Sequence, residues 1–216
     1  MRNLIIILFT MIANSVLGQQ LDGKWLLKDM GPGDGKKDYP GFQLLEIQQD
    51  TVAVYLDFSL EQKSSSLTMA DGYFWNNNKK NGTYQIVDDH HLKWFVNGKA
   101  NNKDAVFECD FYRLQPTRTT LTKEEIEKLV FVLTENGHET KFEFNKELWS
   151  KERLAIFNYK EGEKYMIEQI DSTFFVSIYS HGKRDASIPI REVSTEFLKL
   201  YAIPTGPMEM IAYRKK

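Results

Sequence analysis

One stretch of this chain is written twice, and both copies alternate apolar and polar residues. The first reads G-T-Y-Q-I-V-D-D-H-H-L-K-W-F-V-N-G over 82–98 and continues A-V-F-E-C-D-F-Y-R over 105–113. The second reads S-I-P-I-R-E-V-S-T-E-F-L-K-L-Y-A-I-P-T-G over 187–206, then P-M-E-M-I-A-Y-R over 207–214. Tyr84-x-Ile86 answers Ile188-x-Ile190, and Leu92-Lys93-Trp94 answers Leu198-Lys199-Leu200. Glu108 with Tyr112-Arg113 answers Glu209 with Tyr213-Arg214 at the same internal spacing. Period-two alternation places every second side chain on one face, so each copy predicts antiparallel strands with one face buried.

The same reading extends along the chain. Strands are expected at 42–48, 52–58, 83–87, 92–96 and 105–114, with Asp88-Asp89 and Asn97-Gly98 among their turns. Residues 61–66 read as loop, and the asparagine–lysine run 76–81 as a hairpin tip. In the second half strands are expected at 140–144, 154–159, 164–170, 174–179, 186–192, 197–203 and 208–214, with Asn136-Gly137 as a strong hairpin turn. Pro189 lacks a ladder N–H, which predicts an edge or a bulge there. Between the halves, Thr122 with Glu125 three residues on forms a capping box, predicting one short helix before a strand at 129–133. A further echo sets 47–55 beside 167–179. The fold class expected is therefore all-β, an antiparallel meander, in two tandem halves of about 20–118 and 119–216 joined by a short helix. A single barrel or sandwich using all the strands is the alternative.

Residues 1–18 read as a secretory leader. Arg2 supplies the charge, Leu4 to Ile12 the apolar core, and Val16 and Gly18 the small residues before Gln19. The apolar run breaks at Asn14, short of the roughly 20 residues a spanning helix needs. A secreted or periplasmic protein follows, with no membrane span once the leader is cut. The single cysteine, Cys109, allows no internal disulfide and alternates with Phe107 and Phe111 on an apolar face, as a buried thiol would. A net charge of −2 carries no basic excess for nucleic acid.

Gly23-Lys24-Trp25 just after a leader, ahead of a run of antiparallel strands, resembles the Gly-x-Trp opening of lipocalins and bacterial lipocalin-like proteins (the calycin type). Tyr112-Arg113 and Tyr213-Arg214 are similar to the last strand of such domains. The resemblance implies that Trp25 plugs a barrel floor and that a barrel-closing arginine lies across it: Arg113 if each half closes alone, Arg214 if the whole chain makes one barrel. The second half has no matching tryptophan. The resemblance also implies a small hydrophobic or amphipathic ligand inside, with Trp25, Leu56, Tyr84, Trp94, Phe107 and Phe111 as candidate liners; core packing is the alternative role for each.

Catalytic and metal chemistry find little support in the pattern. His90 and His91 are neighbours that a strand turns to opposite faces, while His138 and His181 flank glycine turns. No second His or Cys stands at a ligand-like spacing, so no metal is expected. G-P-G-D-G-K-K at 31–37 has three residues between its outer glycines and no Ser or Thr after its lysines, unlike a phosphate loop. No serine sits in a Gly-x-Ser-x-Gly elbow. A non-catalytic protein without a cofactor is the expectation. The alternative to a ligand carrier is an interaction or envelope module with a filled core.

Overall fold

A computed structural model of the chain describes residues 21–33, 35–100, 102–135, 138–148 and 163–215. The leader at 1–18, the Asn136-Gly137 turn and the strand expected at 154–159 lie outside the described residues. The chain divides into two compact units, Met1–Arg113 and Leu114–Lys216. The described residues are all-β apart from one short helix, and none of their helices is long and apolar enough to cross a membrane.

The first unit is a closed antiparallel barrel of eight strands: β1 (Gly23–Pro32), β2 (Leu44–Gln48), β3 (Thr51–Tyr55), β4 (Ser65–Ala70), β5 (Tyr73–Asn76), β6 (Lys79–Asp88), β7 (His91–Ala100) and β8 (Lys103–Arg113). Each pairs with the next, and β8 returns to β1 with Trp25 opposite Arg113 and Pro32 opposite Phe107. Turn residues take the left-handed conformation that tight hairpins demand, Asn77 and Asn78 at φ 47° and 62° and Asp71-Gly72 at 52° and 77°. The asparagine–lysine run is thus only a two-residue tip, and its lysines begin β6. The loop expected at 61–66 gives way to β4 from Ser65, because Leu67 and Met69 face inward while Ser66, Thr68 and Ala70 face out. Small outward residues leave almost no visible alternation.

The second unit opens with the helix Lys123–Ile126, and both hydrogen bonds of its Thr122–Glu125 capping box form. Its strands are β9 (Val130–Glu135), β10 (His138–Glu143), β11 (Glu147–Leu148), β12 (Glu163–Ile170), β13 (Thr173–Ser180), β14 (Lys183–Val193), β15 (Phe197–Tyr201) and β16 (Glu209–Arg214). They form one sheet in the order β10-β9-β16-β15-β14-β13-β12-β11. The barrel, read from β2 backwards, has the same order; among the described residues its β2–β3 ladder has no counterpart between β10 and β11. A bridge between Phe144 and Tyr165 and a 2.9 Å bond from Asn145 N–H to Tyr165 O join the described residues on either side of that gap.

Registers match strand for strand. Leu92 faces Phe111 and Trp94 faces Cys109, as Leu198 faces Ala212 and Leu200 faces Met210. Trp25 opposite Arg113 corresponds to Phe131 opposite Arg214. Two details of the echo change. Tyr84 faces Trp94 and Ile190 faces Leu200, so Tyr84 answers Ile190 rather than Ile188; each ladder has a bulge of its own, between Ile86 and Asp88 in the barrel and between Ile190 and Glu192 in the second unit. The further echo at 47–55 and 167–179 matches β2–β3 to β12–β13, although position in the sheet matches β12–β13 to β4–β5; alternation alone produced it. Pro189 lies in an inner strand, where the ladder to β13 ends and the ladder to β15 begins, next to that bulge.

Gly82 marks the tightest approach in the barrel. At φ +110°, a Cβ there would stand 2.1 Å from Phe95 O and 2.7 Å from Trp94 Nε1. Gly82→Ala is expected to destabilise the protein by at least about 2 kcal/mol, through backbone strain and collision with a main-chain oxygen. Gly33→Ala, with open space around the added methyl, should stay within about 0.5 kcal/mol of the parent. Urea midpoints at unchanged slope read both.

Candidate functional site

The barrel is sealed at one end by its first few described residues. Trp25, fully buried at the start of β1, donates from Nε1 to the carbonyl of Leu21 at 2.9 Å. The Arg113 guanidinium lies 4.6 Å over the indole and donates from Nη1 to Asp22 O at 2.9 Å. Asp22 Oδ1 in turn accepts the Gln49 N–H at 2.6 Å. Gly23, at φ +135°, lets the chain turn from this plug into β1. A cation on an indole face contributes about 0.5–2 kcal/mol. Arg113 is therefore the arginine that closes this floor. Arg214 holds the matching backbone position beside Phe131, yet its side chain is exposed.

Above the floor, inward side chains of all eight strands form one cluster. It includes Leu27, Leu45, Ile47, Val52, Val54, Leu67, Met69 and Leu92, with Phe74, Trp94 and Phe111 linking through their rings. Phe74 meets Trp94 edge-on at 4.9 Å between centroids and Tyr84 at 5.2 Å; Trp94 meets Phe111 at 6.4 Å. Trp94 Nε1 donates to Asn81 O at 2.8 Å. Trp25, Tyr84, Trp94 and Phe111 are thus brought together inside.

The other two candidate liners stand elsewhere. Phe107 shares the inward face of β8, but its ring leans over Gly98, where a Cβ would be 2.8 Å from it. Leu56 is 58% exposed, because the chain leaves β3 at Tyr55 and the alternation no longer holds it inward. At the end away from the floor, Met30, Tyr84 and Val96 are only partly buried. Seven residues of β1 separate Trp25 from Pro32 at that end, roughly 23 Å of strand.

The outer face of the β1–β8–β7 seam carries a cluster that periodicity could not reveal. Asp29 and Asp110 are buried there, with Glu108 beside them. Lys37, from the loop after β1, bonds to Asp110 and, at 2.7 Å, to Glu108. Lys93 pairs with Glu108 at 2.8 Å, Lys28 with Asp29 at 2.6 Å, and His91 Nε2 lies 2.6 Å from Asp110. Tyr112 stacks on His91 at 4.4 Å. Burial opposes the charge of Asp110, but hydrogen bonds from His91 and Lys37 prevail and hold its carboxyl well below the usual carboxylate range. Bonds from Lys37 and Lys93 likewise hold Glu108 low. Burial works against Lys37 too, yet Asp110 and Glu108 push its ammonium above the ordinary lysine value.

Between these charged residues, the Cys109 thiol faces the core, and burial together with Asp110 pushes it up to about 12. The thiolate that could act as nucleophile or ligand is therefore scarce at neutral pH. Among the described residues no three His, Cys, Asp or Glu side chains are grouped to hold a metal ion.

Two consequences are measurable. Because the carboxyls of Asp110 and Glu108 are depressed on folding, their stabilisation is complete above the unfolded values near pH 4 and lost as pH falls below them. Lys37 acts in the opposite sense: its share is complete below about pH 10 and lost as pH rises through its elevated value. Asp110→Asn should cost about 3 kcal/mol at pH 7 and flatten the acid limb of a stability–pH curve. Arg113→Met should cost about 1–2 kcal/mol in the same denaturation assay. No protein-family model matches the chain, and no curated protein matches it.

Proposed function

We propose that this is an exported, non-catalytic lipocalin-like protein whose first barrel binds a small hydrophobic or amphipathic molecule at its open end. The observation that supports this reading is the asymmetry of the barrel. One end is sealed by Leu21, Trp25 and Arg113, while at the other Met30, Tyr84 and Val96 stay partly exposed with their apolar groups turned inward. An eight-stranded barrel is just wide enough to be filled or to hold one small ligand. Here the lower layers are filled, so the ligand would lie shallow, against Tyr84 and the Trp94 ring.

A second reading has its own support. The ring chain through Phe74, Trp94 and Phe111 makes the lower interior solid, and the outer side of β16 leaves Ile211 and Tyr213 exposed at 40% and 63%. An interaction or envelope module with a filled core would look this way.

Organic extraction and native mass spectrometry of the protein purified from its own host separate the two. A carrier retains a small molecule of constant mass, and Val96→Trp, which fills the open end, should strip it at a stability cost of about 1–3 kcal/mol. Repeated preparations without a bound molecule, or retention unaltered by Val96→Trp, would reject the carrier.

A further inference from the structure

The second unit carries a cleft of about 580 Å³ lined by Gln115, Pro116, Arg118, Arg191, Lys199 and Glu209. It opens on the outer face of β14–β16. There Lys199 and Glu209 pair at 2.9 Å, in the register positions that Lys93 and Glu108 occupy in the barrel. The balance of charge is different. In the barrel, Lys28, Lys37 and Lys93 meet three carboxylates, Asp29, Glu108 and Asp110. In the second unit Ile211 stands where Asp110 would, opposite Lys199. Arg118 takes Glu192 at 2.9 Å and Lys199 takes Glu209, so Arg191 has no carboxylate partner among the described residues.

Arg191 is nevertheless held in place. Its guanidinium lies 4.4 Å over the Tyr201 ring, and Nη1 donates to Gln115 Oε1. Its Nε and the amide Nε2 of Gln115 are buried donors without an acceptor among the described residues. Segment 115–118 is laced to the sheet. Gln115 N–H donates to the Tyr201 hydroxyl at 2.9 Å, Thr117 Oγ1 to Ile190 O at 2.8 Å, and Arg118 N–H to Arg191 O at 3.0 Å. A fixed guanidinium without a carboxylate partner among the described residues, with the Lys199 ammonium lining the same cleft, makes a preformed host for an oxyanion, because little ordering remains to be done on binding.

We propose that this cleft binds a small molecule through an oxyanion, a carboxylate or phosphate group, with Arg191 as its principal contact and Lys199 as its second. The site is independent of any ligand in the first barrel. The test titrates the full chain with inorganic phosphate, and separately with acetate, against chloride at matched ionic strength, following the arginine Nε–H signals by NMR. A saturable shift of the Arg191 signal with phosphate or acetate and not with chloride is expected; the arm that saturates tells which oxyanion fits.

Arg191→Gln should weaken binding by about tenfold or more and Lys199→Gln by about threefold. Lys183→Gln, at the opposite end of β14, should leave it unchanged. Should Arg191→Gln fail to fold, the variant at the partly exposed Lys199, Lys199→Gln, still decides. Equal shifts with chloride, no saturation with either oxyanion, or affinity indifferent to Lys199→Gln would overturn the site.

Discussion

The stack of Arg113 on Trp25 joins the last strand of the barrel to the first. Every other ladder in that unit links strands adjacent in sequence, joined by tight hairpins or, at 33–43 and 56–64, by longer loops, and so closes at little entropic cost. The β1–β8 seam must instead close a loop of some ninety residues. It does so with a backbone ladder, an indole–guanidinium contact, and bonds from both side chains to the carbonyls of the plug. The inward cluster then has a floor to pack upon, and the outer faces of β1, β8 and β7 become neighbours. The pairs of His91 and Lys93 with Asp110 and Glu108 belong to the β7–β8 hairpin, whereas Asp29 and Lys37 join the ionic cluster only across that seam.

Comparison of the two units isolates what closure permits. Where the barrel has Asp110 and His91 under the Lys37 loop, the second unit has Ile211 and Phe197 at the same registers. One outer face is a desolvated network of mutually compensating charges; the other is an apolar stripe beside a cleft rich in cations. The Lys–Glu pair is common to both faces, and the residues around it differ: the second unit has Ile211 at the register of Asp110, and Arg191 is left without a carboxylate among the described residues.

The inward half of this fold was legible because alternation reports which face is dry, and the helix because a capping box is local. The pairings of β7 with β8 and of β15 with β16 were legible because the repeat preserved their register. β4 was obscured by Ser65, Ser66, Thr68 and Ala70, which are too small and too neutral to mark an outward face. Leu56 was misplaced because alternation was carried past the residue where β3 ends. The charged cluster and the Arg191 cleft were beyond the reach of period and spacing. Lys37 and Asp110 lie 73 residues apart, and Gln115 and Arg191 lie 76 apart. Both contacts depend on where loops fall across a sheet, and alternation carries no information about that.

The gap between β10 and β11 gives the two units unlike mechanics. A cylinder bonded all the way round has its girth fixed, since widening it by one strand spacing would break a whole ladder. Among the described residues the second sheet has no continuous ladder across its gap: a single bridge from Phe144 to Tyr165 and one backbone bond span it, so a change of girth there would cost those contacts rather than a whole row.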